Sequence, residues 1–342
     1  MQKAHLEVGP FDRDFAGGLL VDVVAALRAV APGALVGVTT TRDVHEPFAQ
    51  WARLTGNALI EAAVVTGGWR YVVRSGAATQ APEPERAIGS RLWLYTNFDC
   101  NLACDYCCVR SSPTAERRAL GLETVQRVAR EARELGVGEL FVTGGEPFLL
   151  DDIGEMLLAC AAAAPTTVLT NGMLFSGRRR AALDAAPRDR LVLQISIDSP
   201  LSTQHDARRG GGSWTKAWRG VEIAREMGFR IRIAATVGSA DQERDVLEFF
   251  DSEGLAPEDR VVRNVALRGF ATDGVALTLT DLVPEPTITA TGVYWHPVGA
   301  TDDDFFVTST IFPLAQAIET VRVMHASERA FADTLASVFV CS

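Results

Sequence analysis

Four of the six cysteines lie within nine residues, at Cys100, Cys104, Cys107 and Cys108. This spacing is too short for a disulfide framework, and clustered thiols in a chain without an export signal are typical of metal ligands in a reducing cytosol. Three thiolates at Cys-x3-Cys-x2-Cys spacing can hold three irons of a cubane cluster and leave the fourth iron open. A structural zinc site would need a fourth Cys or His, and no suitable second pair follows. We therefore expect Cys100, Cys104 and Cys107 to bind an iron–sulfur cluster.

Glycines and polar residues end three further predicted strands, where a parallel α/β fold collects its catalytic groups. They are Gly144-Gly145-Glu146-Pro147, Thr170-Asn171-Gly172 and Ser196-Ile197-Asp198. Glycines let backbone carbonyls approach an ammonium group closely, and the adjacent carboxylate adds charge. Ser196 and Asp198 alternate across one residue and so face the same side, where they suit hydroxyl groups. The alternatives are a strand-end cap for these two residues and a simple turn at Asn171-Gly172.

The elements that position these residues are predicted from apolar runs and helical spacing. Short strands are predicted at Leu92–Thr96, Leu140–Thr143, Thr167–Thr170, Leu191–Ile197, Ile231–Val237 and Val261–Leu267. Amphipathic helices alternate with them, including Leu122–Leu135 and Trp214–Met227, the second with Ser213 as N-cap. Six βα units in a row predict an α/β fold whose parallel sheet is curved into a partial (β/α)6 TIM barrel or left open.

Together, these motifs resemble the radical S-adenosylmethionine (SAM) superfamily. The cysteine loop carries the aromatic Tyr106 before its last cysteine, and the strand-end motifs follow in order. The segment from His205-Asp206 through Arg209-Gly210 to Gly212-Ser213, before the next helix, is also similar to that family. The resemblance spans residues 91–269, the expected radical SAM core.

The resemblance implies a 4Fe-4S cluster and SAM as cofactors. SAM contacts would come from Tyr106 to adenine, from residues 144–147 to the methionine amine, and from Thr170, Asn171, Ser196 and Asp198 to ribose and carboxylate. It also implies reductive cleavage of SAM to methionine and a 5′-deoxyadenosyl radical. That radical would abstract a hydrogen atom from a small-molecule or peptide substrate in bacterial natural-product or cofactor biosynthesis. A protein such as flavodoxin or ferredoxin would supply the electron.

The chain before this core is predicted to be a small two-layer α+β domain, residues 1–75, followed by a linker at 76–90 rich in Ala, Pro and Gly. Its order is strand, helix, strand, helix, then two strands joined at Gly67-Gly68. This order resembles the TusA-like sulfur carriers, but Ala16 stands where they carry their persulfide cysteine. We expect a domain that packs on the barrel or holds a partner, with a sulfur role or peptide recognition as alternatives.

The segment 270–342 is predicted to be an α+β extension. It contains strands at Ile288–Val298 and Phe305–Thr308 and helices at Phe312–Val323 and Glu328–Val340. It resembles SPASM or twitch extensions of radical SAM proteins, but Cys341 is its only cysteine, so we expect no auxiliary cluster.

Two residues are candidates for catalysis. Cys108 would be a hydrogen-atom donor or a sulfur source, or simply a small buried residue. His296 would be a proton donor or polar anchor, or a hairpin histidine beside core aromatics. Cys160 lies among apolar helix residues and is predicted to pack.

Composition limits the other functions. A net charge of -10 repels phosphate backbones and argues against an RNA-modifying role. No run approaches the ~18 apolar residues of a membrane span, and a cytoplasmic location is expected. Radical sulfur insertion and a non-catalytic iron–sulfur electron carrier remain as alternatives. An electron carrier would usually close its cluster with four ligands and has no use for the strand-end motifs.

Overall fold

The computed structural model describes residues 3–13, 18–31, 33–54, 57–75 and 86–338. The chain divides into two compact units, residues 1–86 and 87–342. Within the described ranges, no helix combines the length and apolar character needed to cross a bilayer. Ala16, most of the predicted linker and Cys341 lie outside the described residues.

Unit 1 is a four-stranded sheet with two helices. Its elements are β1 (Leu6–Phe11), α1 (Leu20–Arg28), β2 (Leu35–Thr40), α2 (His45–Leu54), β3 (Ala58–Val65) and β4 (Gly68–Arg74). The strand order is β1-β2-β4-β3, with β1 parallel to β2 and the other pairs antiparallel. Its core contains Leu19, Val23 and Leu27 from the α1 region, packed with Phe48 and Tyr71.

Unit 2 contains six parallel strands in sequential order, each followed by helical structure or a long loop. The strands are β5 (Arg91–Tyr95), β6 (Glu139–Thr143), β7 (Thr166–Thr170), β8 (Leu191–Ser196), β9 (Arg230–Val237) and β10 (Arg260–Asn264). The helices are α3 (Leu122–Glu134), α4 (Ile153–Ala163), α5 (Gly177–Ala185), α6 (Ser202–Arg209), α7 (Ser213–Glu226) and α8 (Ala240–Ser252).

The C-terminal segment continues the same sheet from the edge of β5. β11 (Thr287–Thr289) runs parallel to β5, and β12 (Gly292–Tyr294) and β13 (Phe306–Thr308) follow antiparallel. The single strand predicted over Ile288–Val298 is therefore wrong, because the chain turns back at Gly292, whose φ of 140° suits glycine.

The last helix, α9 (Leu314–Val338), corrects the prediction of two helices. The predicted boundary lies near Ser327, a residue that favours turns. In the structure the Ser327 hydroxyl donates to the Val323 carbonyl at 2.9 Å, one helical turn earlier, so it does not interrupt the helix.

Alternation along the barrel strands separates two faces. On β8 and β9, Ile195, Ile197, Ile233 and Ala235 belong to the core shared with the outer helices. Their neighbours on each strand therefore face the inside of the barrel. Hereafter, the inner face means the side of the sheet that faces the inside of the barrel.

Candidate active site

The loops after β5 and β6 are held together directly before the first cysteine. The Gly145 and Glu146 amides donate to the carbonyls of Asn97 and Asp99 at 3.0 and 3.1 Å. The Asn97 side-chain amide donates to the Glu146 carbonyl at 3.0 Å and to the Asp99 carbonyl at 2.9 Å. These bonds fix the start of the cysteine loop against the Gly-Gly-Glu-Pro turn. Sequence reasoning missed Asn97, because its only signal was a polar residue following a strand.

The two glycines of that turn allow this close approach. A Cβ on Gly144 would lie 2.3 Å from Asn97 Oδ1, and a Cβ on Gly145 would lie 2.2 Å from the Asp99 carbonyl oxygen. The missing side chains are therefore needed first for contact between the two loops. A role toward the SAM ammonium group would come in addition.

Gly145→Ala is expected to destabilise unit 2 by about 2–3 kcal/mol, the usual scale of overpacking against a fixed group. It should also lower the iron content after reconstitution, because the added methyl group displaces the residue that precedes Cys100. Urea unfolding and iron analysis measure the two effects. Gly211→Ala is the matched control, since its Cβ would meet no atom within 4 Å. Equal behaviour of the two variants would contradict the packing role.

Glu146 joins the ends of β6 and β7. Its carboxylate is fully buried and accepts from the Asn171 amide at 2.7 Å, the Thr170 hydroxyl at 2.8 Å and the Phe148 amide at 3.0 Å. Burial raises the pKa of Glu146, and these donors oppose the shift. Its observed role is thus to position Asn171 and to cap the turn that begins at Pro147. That its charge also acts near an ammonium group of SAM stays a prediction.

Asn171 connects the third strand end to the cysteine loop. Its side-chain amide donates to Asn101 Oδ1 at 2.8 Å, and its own oxygen accepts from the Met173 amide at 3.0 Å. Gly172 follows in the left-handed region with a φ of 72°, as the turn interpretation predicted. The strand ends of β6 and β7 and the cysteine loop therefore form one hydrogen-bonded framework.

The cysteine loop has the donors that an iron–sulfur cluster requires. The sulfur of Cys100 accepts from the Leu102 amide at 3.4 Å, and that of Cys107 accepts from the Ser111 amide at 3.3 Å. Burial, followed by the charge of Glu146, raises the pKa of Cys100 to about 12, so a thiolate there needs a compensating cation. The three thiols are close enough that Cys104 and Cys107 add to that shift.

In the described residues no three His, Cys, Asp or Glu side chains are arranged around a common metal position. Each thiolate of a cubane cluster binds a different iron, so the three thiols need not share one metal position. Their chemistry, three sulfurs on one loop with backbone amides donating to two of them, fits an iron–sulfur cluster with three protein ligands.

The loop after β10 closes over the cysteine loop. The Phe270 amide donates to the Cys107 carbonyl at 3.0 Å. Gly269 has a φ of 65°, and a Cβ there would lie 2.1 Å from that same carbonyl oxygen. The end of the predicted core region thus packs on the last predicted ligand.

Asp198 is the centre of a buried network at the end of β8. Its carboxylate pairs with Arg209 at 2.6 and 3.2 Å, accepts from the Thr236 amide at 3.0 Å, and accepts from the Tyr106 hydroxyl. Burial alone would raise the pKa of Asp198, but the Arg209 guanidinium outweighs it and the pKa is lowered. This carboxylate is thus bound by protein groups, and its contact with ribose stays a prediction. Ser196, two residues earlier in the chain, is half-buried on the inner face.

Tyr106 is fixed from two sides. Its hydroxyl is bound to Asp198, and the Arg208 guanidinium lies 4.3 Å from the centre of its ring. Burial raises the pKa of Tyr106 well above its ordinary value. An adenine base stacked on Tyr106 must therefore use ring surface that Arg208 leaves open.

The segment after β8 shapes this network. The His205 Nδ1 atom accepts from the Asp198 amide at 3.2 Å, and His205 is buried. Asp206 accepts from the Gly212 and Trp214 amides at 2.6 and 2.8 Å and so caps α7. The predicted N-cap, Ser213, is instead the first helical residue, and Asp206 supplies the cap from across the loop.

The buried, neutral state of His205 predicts that the free energy of unfolding decreases in mild acid. Burial, followed by the charge of Arg209, lowers the pKa of His205 from 6.5 to about 4. Between these values the unfolded chain binds a proton that the folded chain does not, so acid favours unfolding. Full protonation of the unfolded histidine costs about 3 kcal/mol by pH 4. The stability that neutral His205 contributes is fully present above pH 6.5 and decreases as the pH falls from 6.5 to about 4.

The measurement is urea unfolding of wild type and of His205→Asn across this window. Asparagine keeps an acceptor for the Asp198 amide but does not titrate there. The stability difference between the two proteins should therefore shift in favour of the variant as the pH falls. A constant difference would show that His205 is not buried in its neutral form.

Cys108 and His296, the two candidates for catalysis, are both held by protein contacts. Cys108 packs with Tyr95, Phe98 and Ala300, and burial raises its pKa to about 12. The His296 Nδ1 atom accepts from the Val298 amide at 3.2 Å, and burial lowers the pKa of His296 to about 4. Burial thus favours the neutral form of both side chains. Cys160 is fully buried in the helical core, as predicted.

Residues 94–252 match the sequence model of the Radical SAM superfamily. This range contains the cysteine loop and all three strand-end motifs. Unit 2 therefore carries the domain of radical SAM enzymes, and the cofactors of this class, a 4Fe-4S cluster and SAM, are those that the sequence predicted.

Three curated relatives show the range of similar proteins. AlbA of Bacillus subtilis, the antilisterial bacteriocin subtilosin biosynthesis protein, is 28% identical over 179 residues, covering 49% of this chain and 36% of AlbA. The probable GTP 3′,8-cyclase of Archaeoglobus fulgidus is 31% identical over 171 residues, covering 48% and 56%. The mycofactocin maturase MftC of Mycolicibacterium smegmatis is 31% identical over 154 residues, covering 44% and 38%. The matched region thus spans between 36% and 56% of these relatives.

A solved structure described as native anSMEcpe with bound AdoMet has a TM-score of 0.53 and 14% identity. The match covers 67% of this chain and 80% of that chain. At this identity the likeness shows the fold alone, and it confirms the predicted partial-barrel α/β class.

Proposed function

We propose that this protein binds a 4Fe-4S cluster through Cys100, Cys104 and Cys107, cleaves SAM reductively, and abstracts a hydrogen atom from a small-molecule or peptide substrate. The observation that carries the proposal is the framework that joins the cysteine loop to the ends of β6 and β7. Glu146 binds the Asn171 amide, and Asn171 binds Asn101 of the loop. A protein that only carries electrons has no need of such a framework beside its cluster.

When bound, the cluster would supply the electron that breaks the sulfonium bond of SAM and yields methionine and the 5′-deoxyadenosyl radical. The chain's own residues bind and orient SAM. Gly144, Gly145 and the Pro147 turn present backbone to the methionine end, and Ser196 presents a hydroxyl on the inner face. Asp198 and Arg209 fix Tyr106 between two of the cysteines.

The substrate class is inferred from the relatives. A bacteriocin biosynthesis protein and a mycofactocin maturase favour a peptide or other natural-product substrate, and a GTP 3′,8-cyclase favours a small molecule. A structural neighbour described with bound AdoMet and a peptide, at a TM-score of 0.52, is compatible with the first. A reductant such as flavodoxin or ferredoxin in the cytoplasm completes the proposal.

For unit 1 we propose a TusA-like domain without persulfide chemistry. Its support is the order of the elements together with the parallel β1–β2 pair and the β3–β4 hairpin. The proposed role is binding a partner, because Ala16 stands where a sulfur carrier needs cysteine.

The test is anaerobic reconstitution with iron and sulfide, followed by SAM and dithionite, with detection of 5′-deoxyadenosine by mass spectrometry. Formation of 5′-deoxyadenosine that depends on the cluster supports the proposal. Its absence from a protein with a full cluster and measurable SAM affinity, in the presence of candidate substrates, would contradict it.

A further inference from the structure

Strands β9 and β10 form a wall of the barrel that carries none of the predicted cofactor residues. Those residues all lie at the ends of β5, β6, β7 and β8 or in the loops that follow them. On β9, Ile231, Ile233 and Ala235 pack toward the outer helices, so Arg232, Ala234 and Thr236 face inward. On β10, Val262 packs outward, so Val261 and Arg263 face inward.

Arg232 is a cation without a partner on this inner face. It is half-buried, its Nε atom is buried with no hydrogen-bond acceptor, and no carboxylate of the described chain pairs with it. It lies in register with Gln194 of β8, and the next inward pair is the small residues Ser196 and Ala234. On β8 and β9, only small side chains therefore stand between Arg232 and the end of the strands where the cofactor residues gather.

Arg263 is a second unpaired cation at the top of the same wall. It lies in register with Thr236 and has no carboxylate partner in the described parts of the chain. Its positive charge contributes to lowering the pKa of His296, so it lies close to that residue. Thr236 lies four positions after Arg232, or about 13 Å along the strand.

Two other arginines of the same strands are paired, unlike Arg232 and Arg263. Arg230 and Arg260 begin the same two strands, and each holds a carboxylate, Asp259 at 2.7 Å and Asp251 at 2.6 Å. On these two strands, both of which the structure describes in full, the unpaired cations are thus confined to the inner face. Arg263 is exposed, but Arg232 is half-buried. A charge partly removed from water without a counter-ion is unfavourable, so the retention of Arg232 suggests that an anion pairs with it.

We propose that the β9–β10 wall binds the anionic group of the substrate, a carboxylate or a phosphate, with Arg232 and Arg263 as its anchors. The planar guanidinium suits either oxyanion through paired hydrogen bonds. A substrate held here lies beside Ser196, which is in register with Ala234 of β9. This assignment rests on the proposed function, which requires the substrate to reach SAM inside the barrel.

The test uses the reconstituted, oxidised protein saturated with SAM and without reductant. Inorganic phosphate and acetate are titrated as separate probes, followed by transverse relaxation of the ³¹P and methyl ¹H signals. We expect saturable binding of at least one probe, and the stronger one identifies the class of anion. Arg232→Gln should weaken it at least tenfold and Arg263→Gln at least threefold. Arg232→Lys should stay within threefold of wild type.

Arg230→Gln is the matched control, because it removes a paired arginine from the start of the same strand and should leave the anion affinity unchanged. Arg232→Gln should fold with a Tm at or above that of wild type, since it removes an uncompensated charge. A lower Tm would mean that Arg232 is structural and would overturn the proposal.

Two further outcomes would also overturn it. One is equal anion binding by wild type, Arg232→Gln and Arg263→Gln. The other is a tenfold loss of SAM affinity in Arg232→Gln with anion binding unchanged, which would make Arg232 a SAM ligand. Production of 5′-deoxyadenosine by the same wild-type sample separates these cases from failure of the proposed function itself.

Discussion

Cys104→Ala is expected to abolish formation of 5′-deoxyadenosine, with a loss of at least a thousandfold. Two remaining thiols cannot hold a cubane cluster at three irons, and without it SAM has no electron source in the protein. The substitution removes only a half-buried sulfur from a loop whose backbone is held by the Asn97 and Glu146 contacts. Unit 2 should therefore fold and lose its iron. Iron analysis, the absorbance of the cluster and product detection measure the three effects.

Two cysteine variants are the controls. Cys160→Ala removes a fully buried helical thiol and should cost about 1 kcal/mol while the iron content stays unchanged. Cys108→Ala should also keep the cluster, because the Cys-x3-Cys-x2-Cys spacing assigns the ligands to the other three cysteines of the loop, and Cys108 packs against Tyr95 and Phe98. Full product formation by Cys104→Ala would exclude the three-cysteine site. Loss of iron in Cys108→Ala would show that the ligand set had been misassigned.

Most of the barrel could be predicted from local signals. Each of the six parallel strands is a short apolar run between polar loops, and each begins or ends within three residues of its predicted position. The errors occur where local signals are weak. Ser327 favours a turn in isolation, yet it lies inside α9, and the hairpin at Gly292 depends on pairing with β13.

The site was predictable as a set of positions but not as a set of contacts. Strand-end alternation placed Ser196 and Asp198 on the inner face, where the structure has them. It did not show that Asp198 is bound by Arg209, Tyr106 and the Thr236 amide, which are up to 92 residues away. A carboxylate at a strand end is equally suited to a ligand and to an arginine, and only the three-dimensional partners decide between them.

Arg209→Gln is expected to destabilise unit 2 by about 3–5 kcal/mol, the cost of leaving a buried carboxylate without its cation. Side chains of both partners are almost fully buried, with exposed fractions of 10% for Arg209 and 2% for Asp198. The pKa of Asp198 should rise, because Arg209 lowers it more than the Tyr106 and Thr236 hydrogen bonds do. Urea unfolding, followed by hydrogen exchange in β8 and α6 peptides, measures the loss.

The same variant should also alter the cluster. Tyr106 lies between Cys104 and Cys107 and is held by Asp198, so a displaced Asp198 should change the electron paramagnetic resonance spectrum of the reduced cluster. The loss of unfolding free energy in Asp198→Asn/Arg209→Gln should be smaller than the sum of the losses in the two single variants. Each single change leaves the other charged side chain buried without its counter-ion. Arg219→Gln breaks an exposed pair with Glu222 and should cost less than about 1 kcal/mol. If Arg209→Gln unfolded like this control with an unchanged spectrum, the buried pair would not be what positions the cysteine loop.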